Sequence, residues 1–350
     1  MRSRRCERVT SARRFLVLVA AGVVLGSLFT ACGALGGGAD TLVLYNGQHL
    51  QTTDALVQAF EKATGVNVEI RSNDEDYLAE EIAGEGSHSP ADVLFTENSQ
   101  PLEHLEDLGL LARIDASTLD RTPAKFNSAA GDWVGVTARV SVLVYNPSLI
   151  QKSQLPTHVL ELAEPQYKGK LAIAPGETDF QPIVTSVERA YGEAAANRWL
   201  QGVKANGASH SYSDNEAITD EVNRGAVAFG IVNQYYWYRL GAQIGASSLH
   251  SRIAYFAPED PGYVVDVSGA AVLASSKHQA AAQKFLQFLT SAEGQEIIAH
   301  STSFEYPIAS GVTTAQPETP FSDLRPYPIT VAELGDGLAA VDLMQRVGLL

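Results

Sequence analysis

The chain has 350 residues, 45% of them hydrophobic and 19% charged, with 25 Lys and Arg against 40 Asp and Glu for a formal net charge of −15. A surface this acidic repels nucleic acid and anionic lipid, which excludes a polyanion-binding protein. Two cysteines, Cys6 and Cys32, cannot supply a disulfide framework at this length, so the body has to be held by its core.

Residues 1–31 read as an export signal outside the fold. Arg2, Arg4, Arg5, Arg8, Arg13 and Arg14 form a basic start, and residues 15–29 are an apolar run too short for a comfortable membrane span. The small residues that end Leu28-Phe29-Thr30-Ala31-Cys32-Gly33 resemble a bacterial lipobox, which would make Cys32 the lipid-modified first residue after cleavage. Ordinary secretion with Cys32 a bystander is the alternative. Residues 32–40, with three consecutive glycines, are a flexible tether and not a phosphate loop, because no lysine and no helix follow in register. The leader holds six of the 25 basic and one of the 40 acidic residues, so the remainder carries 19 basic against 39 acidic, a net charge of −20.

A body of roughly 320 residues suits two lobes better than one simple core. Residues 41–45 predict a first strand ending in the turn-like Asn46-Gly47-Gln48-His49. A helix capped by Thr53 or Asp54 should follow, with Leu56, Val57, Phe60 and Ala63 on one face and a stop at Gly65. Residues 66–70 complete a βαβ unit, residues 76–82 predict a second helix ending at Gly84, and residues 91–96 a third strand. That strand leads into Glu97 and Asn98, so His49 and Glu97 both sit at carboxyl ends of strands and can reach the same rim of a sheet. Taken singly, each reads as an ordinary surface or capping residue.

Residues 140–144 are strand-like and lie in the long extended stretch 134–145, which can serve as a hinge strand between two α/β halves. Residues 171–174 predict another strand, Pro175-Gly176-Glu177-Thr178-Asp179 a loop with helix-start chemistry, and residues 180–191 a helix. Trp199, Leu200 and Val203 continue helical packing, and a helix beginning in residues 211–216 leads to the apolar strand 226–232. Asn233 then reads as an N-cap, which places Tyr235 and Tyr236 in the first helical turn at the carboxyl end of the sheet, where open α/β folds put ligands. Packing is the competing reading for adjacent tyrosines. Near the end, Ser276-Lys277-His278 starts a helix, and residues 330–347 predict one last helix with an aliphatic face. His88, His104, His158, His210, His250, His278 and His300 are scattered and read mostly as surface.

Histidine and carboxylate from one lobe and two phenols from the other form a donor set of nearly all oxygens. Ionised, it carries three negative charges and suits a hard trivalent cation such as Fe(III) better than Zn(II). Phenols titrate near about 10 when unperturbed, so the metal's own charge must drive off their protons.

At this point the chain resembles the periplasmic ferric-ion-binding proteins of bacterial iron ABC transporters. The likeness is carried by Tyr45-Asn46-Gly47-Gln48-His49, by Ser89-Pro90-Ala91-Asp92-Val93 leading to Glu97, and by Asn233-Gln234-Tyr235-Tyr236-Trp237. Residues 263–272, in which Ser268-Gly269-Ala270-Ala271-Val272 looks like a return crossing, extend it, as do Glu293-Gly294-Gln295 and Glu305-Tyr306-Pro307. The resemblance implies an α/β, two-lobed periplasmic-binding-protein fold (class II, transferrin-like) with two hinge-crossing strands. It implies an N-lobe of residues 41–139 plus 268–316 and a C-lobe of residues 140–267 plus 317–350. The implied function is that of a solute-binding lipoprotein, not an enzyme: a monomer outside the cell, held to the membrane through Cys32, that delivers Fe(III) to an ABC permease. Metal binding passes by resemblance to His49, Glu97, Tyr235 and Tyr236, and contacts to a synergistic carbonate or phosphate to Asn98, Asn215 and Asn233. The family's small anion loop falls here on Glu177-Thr178-Asp179, whose two carboxylates would repel phosphate. Either Glu177 or Asp179 then replaces the anion, or the anion moves toward Arg139. Alternatives are the same fold binding a phosphonate or a polyamine, and a membrane-anchored hydrolase, for which no G-x-S-x-G, H-E-x-x-H or P-loop is present.

Overall fold

The alternation usual in an exposed strand is missing from Thr41–Asn46 (β1): Leu42 and Leu44 enter one hydrophobic cluster and Tyr45 another, as in a strand covered on both faces. Asn67–Ser72 (β2) and Val93–Phe95 (β3) pair with it in parallel. Leu111–Ala112 (β4), Trp133–Tyr145 (β5), Leu171–Ala172 (β6), Phe229–Asn233 (β7), Arg252–Ala254 (β8), Val265–Leu273 (β9) and Tyr306–Pro307 (β10) follow. They form a sheet of order β2-β1-β3-β9-β5-β7-β6, with β10 and β8 on β5 and β4 on β9. This is a computed structural model, and it describes residues 41–315 and 319–350. The expected export signal, tether and lipid-bearing Cys32 lie outside the described residues.

β5 organises the sheet. Its thirteen residues are all buried, and the β-branched Val134, Val136, Thr137, Val140, Val142 and Val144 fit a pleated surface packed on both sides. Residues 133–140 pair antiparallel with β9, whereas residues 141–145 pair with β7 and, from Leu143, with β8. The chain returns beside Ser141 just before β9, where the Ser141 hydroxyl donates to Gly262 O (2.6 Å) and accepts from Val264 N (2.9 Å). One cluster, around Leu42, Leu44, Phe60, Val93, Phe285 and Leu286, lies on the β1–β3 side. A larger cluster includes Val142, Leu143, Trp199, Ile218 and Phe229. Fully burying each such side chain contributes about 1.5–3 kcal/mol before entropy is charged against it.

Several boundaries differ from the sequence reading. The first helix is Leu50–Thr64, not one capped at Thr53 or Asp54: His49 sits at its N-cap, and the Thr53 hydroxyl instead donates to Asn46 Oδ1 at 2.8 Å. The second helix, Glu75–Glu85, passes through Gly84 and is capped by Asp74. Residues 226–228 precede β7 instead of joining it, and Asn233 is both the last residue of β7, paired with Ser141, and, as expected, the N-cap of the helix Gln234–Ile244, though its side chain makes no capping bond. The last predicted helix is two, Val331–Leu334 and Leu338–Val347, because Gly335 and Gly337 take positive φ values of 66° and 76°. Two of the scattered histidines are tied to buried acids, His278 Nδ1 to Asp92 and His158 Nδ1 to Asp260, each at 3.0 Å.

The strand that carries the tyrosines depends on one missing side chain. A Cβ on Gly230 would overlap Ile218 Cγ2 and lie 3.1 Å from Ala172 Cβ. Gly230→Ala is therefore expected to destabilise the protein by about 1–3 kcal/mol, read as a lowered thermal midpoint. An unchanged midpoint would refute this account of the contact.

Candidate functional site

Four segments bring polar side chains to the carboxyl ends of β1, β3, β6 and β7. After β1, Gly47 N donates to Phe95 O (2.7 Å), and Gln48 spans from Ser268 Oγ (2.8 Å) to the His49 amide (2.6 Å). The turn can sit this close to the helix Glu75–Glu85 because a Cβ on Gly47 would lie 2.6 Å from Glu75 Cβ. After β3, the backbone amides of Glu97 and Asn98 both donate to Glu75 Oε2 (2.7 and 2.8 Å). After β7, the buried Gln234 fixes the start of the helix Gln234–Ile244 by accepting from Val140 N (2.8 Å) and donating to Phe304 O (3.0 Å).

The phenols of Tyr235 and Tyr236 leave that first turn together, their rings 4.1 Å apart. Tyr235 Oη lies 3.2 Å from Glu97 Oε2 and 3.4 Å from Asp179 Oδ2, and Tyr236 Oη lies 3.1 Å from Asp179 Oδ2. His49 Nδ1 meets Glu97 Oε1 at 2.7 Å. Donors about 2 Å from a small hard cation stand about 3 Å apart along the edges of its coordination shell, a spacing that the phenol–carboxylate hydrogen bonds share, whereas His49, bonded to Glu97 through Nδ1, has Nε2 left for a ligand. His49 Nε2 and Asp179 Oδ1 are buried without a hydrogen-bond partner. A cavity of about 310 Å³ reaches the cluster, walled by His49, Glu75, Glu97, Glu177, Asp179 and Tyr236 among others.

Electrostatics separate the acids. Burial alone would raise Glu97, but the charge and hydrogen bond of His49 outweigh it and hold the carboxyl at about 2. The same pair raises His49 above the usual imidazole range, although burial by itself would lower it. Asp179 is raised to about 6 by burial, against the pull of Arg139. Glu177 is raised to about 8, by burial first and then by Asp179. Both phenols are pushed well above 10 by burial and by the Asp179 and Glu97 charges.

His49, Glu97, Tyr235, Tyr236, Asp179 and Asn215 are brought into one hydrogen-bonded cluster, Asn215 Nδ2 donating to Asp179 Oδ2 at 3.0 Å. Asn98 and Arg139 stand behind it. Asn98 is held by Glu75 and accepts from Arg139 Nη1 at 3.1 Å, while Arg139 is fully buried in an ion pair with Glu305. Glu177 lines the cavity, and the Thr178 hydroxyl donates to Asp76 at 3.0 Å. No hydrogen bond joins Asn233 to the cluster. Sequence reasoning passed over Glu75, Asp76 and Arg239, whose guanidinium lies 6.0 Å from both phenol rings and 3.2 Å from Glu216. The acidic run Asp74-Glu75-Asp76 was the available signal for the first two. Among the described residues no group of three or more His, Cys, Asp or Glu is placed to hold a metal by itself, so His49, Glu97 and Asp179 need the two phenols to complete a donor set.

The family profile described as bacterial extracellular solute-binding protein matches residues 55–322. The Fe(3+)-binding periplasmic protein of Serratia marcescens is 37% identical over 94% of this chain and 96% of its own length. The major ferric iron-binding protein of Neisseria meningitidis serogroup B is 34% identical over 88% of this chain and 93% of its own. Iron-bound HitA from Pseudomonas aeruginosa superposes with a TM-score of 0.84 at 41% identity, covering 88% of this chain and 99% of that one. These likenesses bear out the two-lobed periplasmic-binding-protein fold and a transport component in place of an enzyme. The chain belongs to the bacterial extracellular solute-binding proteins, within the group of periplasmic ferric-iron-binding proteins.

Proposed function

We propose that the chain captures ferric iron between its lobes, with His49 and Glu97 from one side and Tyr235, Tyr236 and Asp179 from the other, and hands it to an ABC permease. The observation that carries this reading is the convergence of two buried phenols on two carboxylates at ligand-like spacing. Relatives named for ferric iron support the choice of cargo. Residues 41–139 with 268–316 form one lobe and residues 140–267 with 317–350 the other. Iron favours the closed state because only that state offers every donor. The protein works as a monomer tethered outside the cell through lipid on Cys32.

Asp179 fills the place of a synergistic carbonate or phosphate. It already accepts from Tyr236 and Asn215 and keeps one oxygen unpartnered, whereas Arg139 is paired with Glu305 and Asn98 and keeps only its Nε unpartnered, its charge being shared with Asp179 as long as that carboxylate is present. Glu177, raised to about 8, is protonated near neutral pH and forms the rim.

The test is spectroscopic and protonic. Ferric citrate added to the iron-free protein should produce a purple-to-orange phenolate-to-iron band. Since both phenols are protonated beforehand, at least two protons should leave per iron bound near neutral pH, counted with an indicator dye against a protein-free blank. Ferric affinity should weaken as pH falls, and more steeply below about 6, where Asp179 of the iron-free protein also holds a proton that the metal has to displace. No band, or a band formed without proton release, would sink the proposal.

A further inference from the structure

The helix Glu75–Glu85 opens with three consecutive acids that hold three different things. Asp74 caps it, accepting from the amides of Asp76 (3.1 Å) and Tyr77 (3.3 Å). Glu75 holds Glu97 and Asn98 through their backbone amides and the Asn98 side chain. Asp76 reaches across the cleft, where Oδ2 accepts from Thr178 Oγ1 at 3.0 Å and the nearby Gln181 side chain also favours the charged carboxylate against the raising effect of burial. Thr178 and Gln181 flank Asp179, one beside it in the short turn Thr178–Phe180 and the other opening the helix Gln181–Tyr191. Gln181 is backed in turn by Gly337, where an added Cβ would overlap Gln181 Oε1 and lie 3.1 Å from Gln100 Cγ. The turn that carries Asp179 is thus gripped from both sides.

We propose that Asp76 is a positioning residue for metal capture: from the opposite wall of the cleft it fixes the Asp179 turn through Thr178 and Gln181, so that lobe closure and placement of that carboxylate are one event. One helical turn then sets both acidic donors, Glu97 through Glu75 and Asp179 through Asp76. The clasp touches no donor atom itself. It acts on how long the closed state lasts, because opening the cleft requires giving up charge-assisted hydrogen bonds in a partly shielded place. The proposal rests on the reading of Asp179 as a ferric donor.

The experiment follows iron removal from the full chain by excess EDTA at the ferric band, for wild type, Asp76→Ala, Thr178→Val and Thr178→Ser. Asp76→Ala and Thr178→Val should release iron about tenfold faster or more, the loss expected for a hydrogen bond to a charged group. Their band maximum should stay where the wild type has it, because the ligands are intact. Thr178→Ser, which keeps the hydroxyl, should retain iron like the wild type. The iron-free melting midpoint of each variant separates the clasp from misfolding, and the Thr178 pair keeps the test open if Asp76→Ala does not fold. Release within about twofold of wild type in both Asp76→Ala and Thr178→Val overturns the proposal. A wild type without a ferric band sinks the ferric reading instead, so the two failures are distinguishable.

Discussion

Tyr235→Phe and Tyr236→Phe should each lower ferric affinity by more than about a hundredfold, and the double variant should show no ferric band at all. A hundredfold is the upper end of what an outer partner of a metal ligand costs, and a ligand itself counts for more. The iron-free fold should survive, because each change removes one oxygen and keeps a ring that is packed against its neighbour at 4.1 Å. Without the Tyr235 hydroxyl, Glu97 still has His49, and Asp179 still has Asn215 and Tyr236. The loss of stability should therefore be about 1 kcal/mol, the net value of one hydrogen bond. Affinity by competition with a chelator and a thermal melt of the iron-free protein check the two halves. Either single variant binding iron within about tenfold of wild type would remove that phenol from the donor set.

The tyrosines were legible in the sequence because a continuous apolar run followed by adjacent phenols places them at a strand end; β7 runs one residue further than expected, to Asn233, and still leaves both phenols in the first helical turn. His49 and Glu97 were legible for the same reason, each just beyond a short buried strand. The particular hydrogen bonds were not. Asp179 meets Tyr236 across 57 positions of chain and Arg139 pairs with Glu305 across 166, and no local pattern encodes a contact at that distance. Local signals also misled where tertiary contacts competed with them. Thr53 has the chemistry of a helix cap, but its hydroxyl is taken by Asn46, so the helix starts one turn earlier and His49 becomes the cap residue. The aliphatic face over residues 330–347 persists across Gly335 and Gly337, so periodicity alone did not reveal the break that lets Gly337 lie against Gln181.

Asp179→Ala should convert a protein indifferent to phosphate into one that needs it. In the wild type, ferric affinity with and without added phosphate or carbonate should agree within about twofold, because the carboxylate already occupies the anion's place and, raised only to about 6, is mostly ionised near neutral pH. An incoming phosphate would also meet the charge of Glu97 and displace the hydrogen bonds from Asn215 and Tyr236. Removing the carboxylate reverses each of these conditions. The cavity gains room, Asn215 and both phenols lose an acceptor, and the charge of Arg139, which in the wild type pulls against the burial of Asp179, becomes available to a small anion. Without phosphate, the variant should bind iron about 10–100-fold more weakly than the wild type, and saturating phosphate should recover most of the difference. A shift of the ferric band on adding phosphate to the variant alone would identify the anion as a new ligand instead of a counter-ion. If the wild type itself requires phosphate, Asp179 is not the substitute ligand, and the acidic loop at Glu177-Thr178-Asp179 coexists with the anion it was expected to replace.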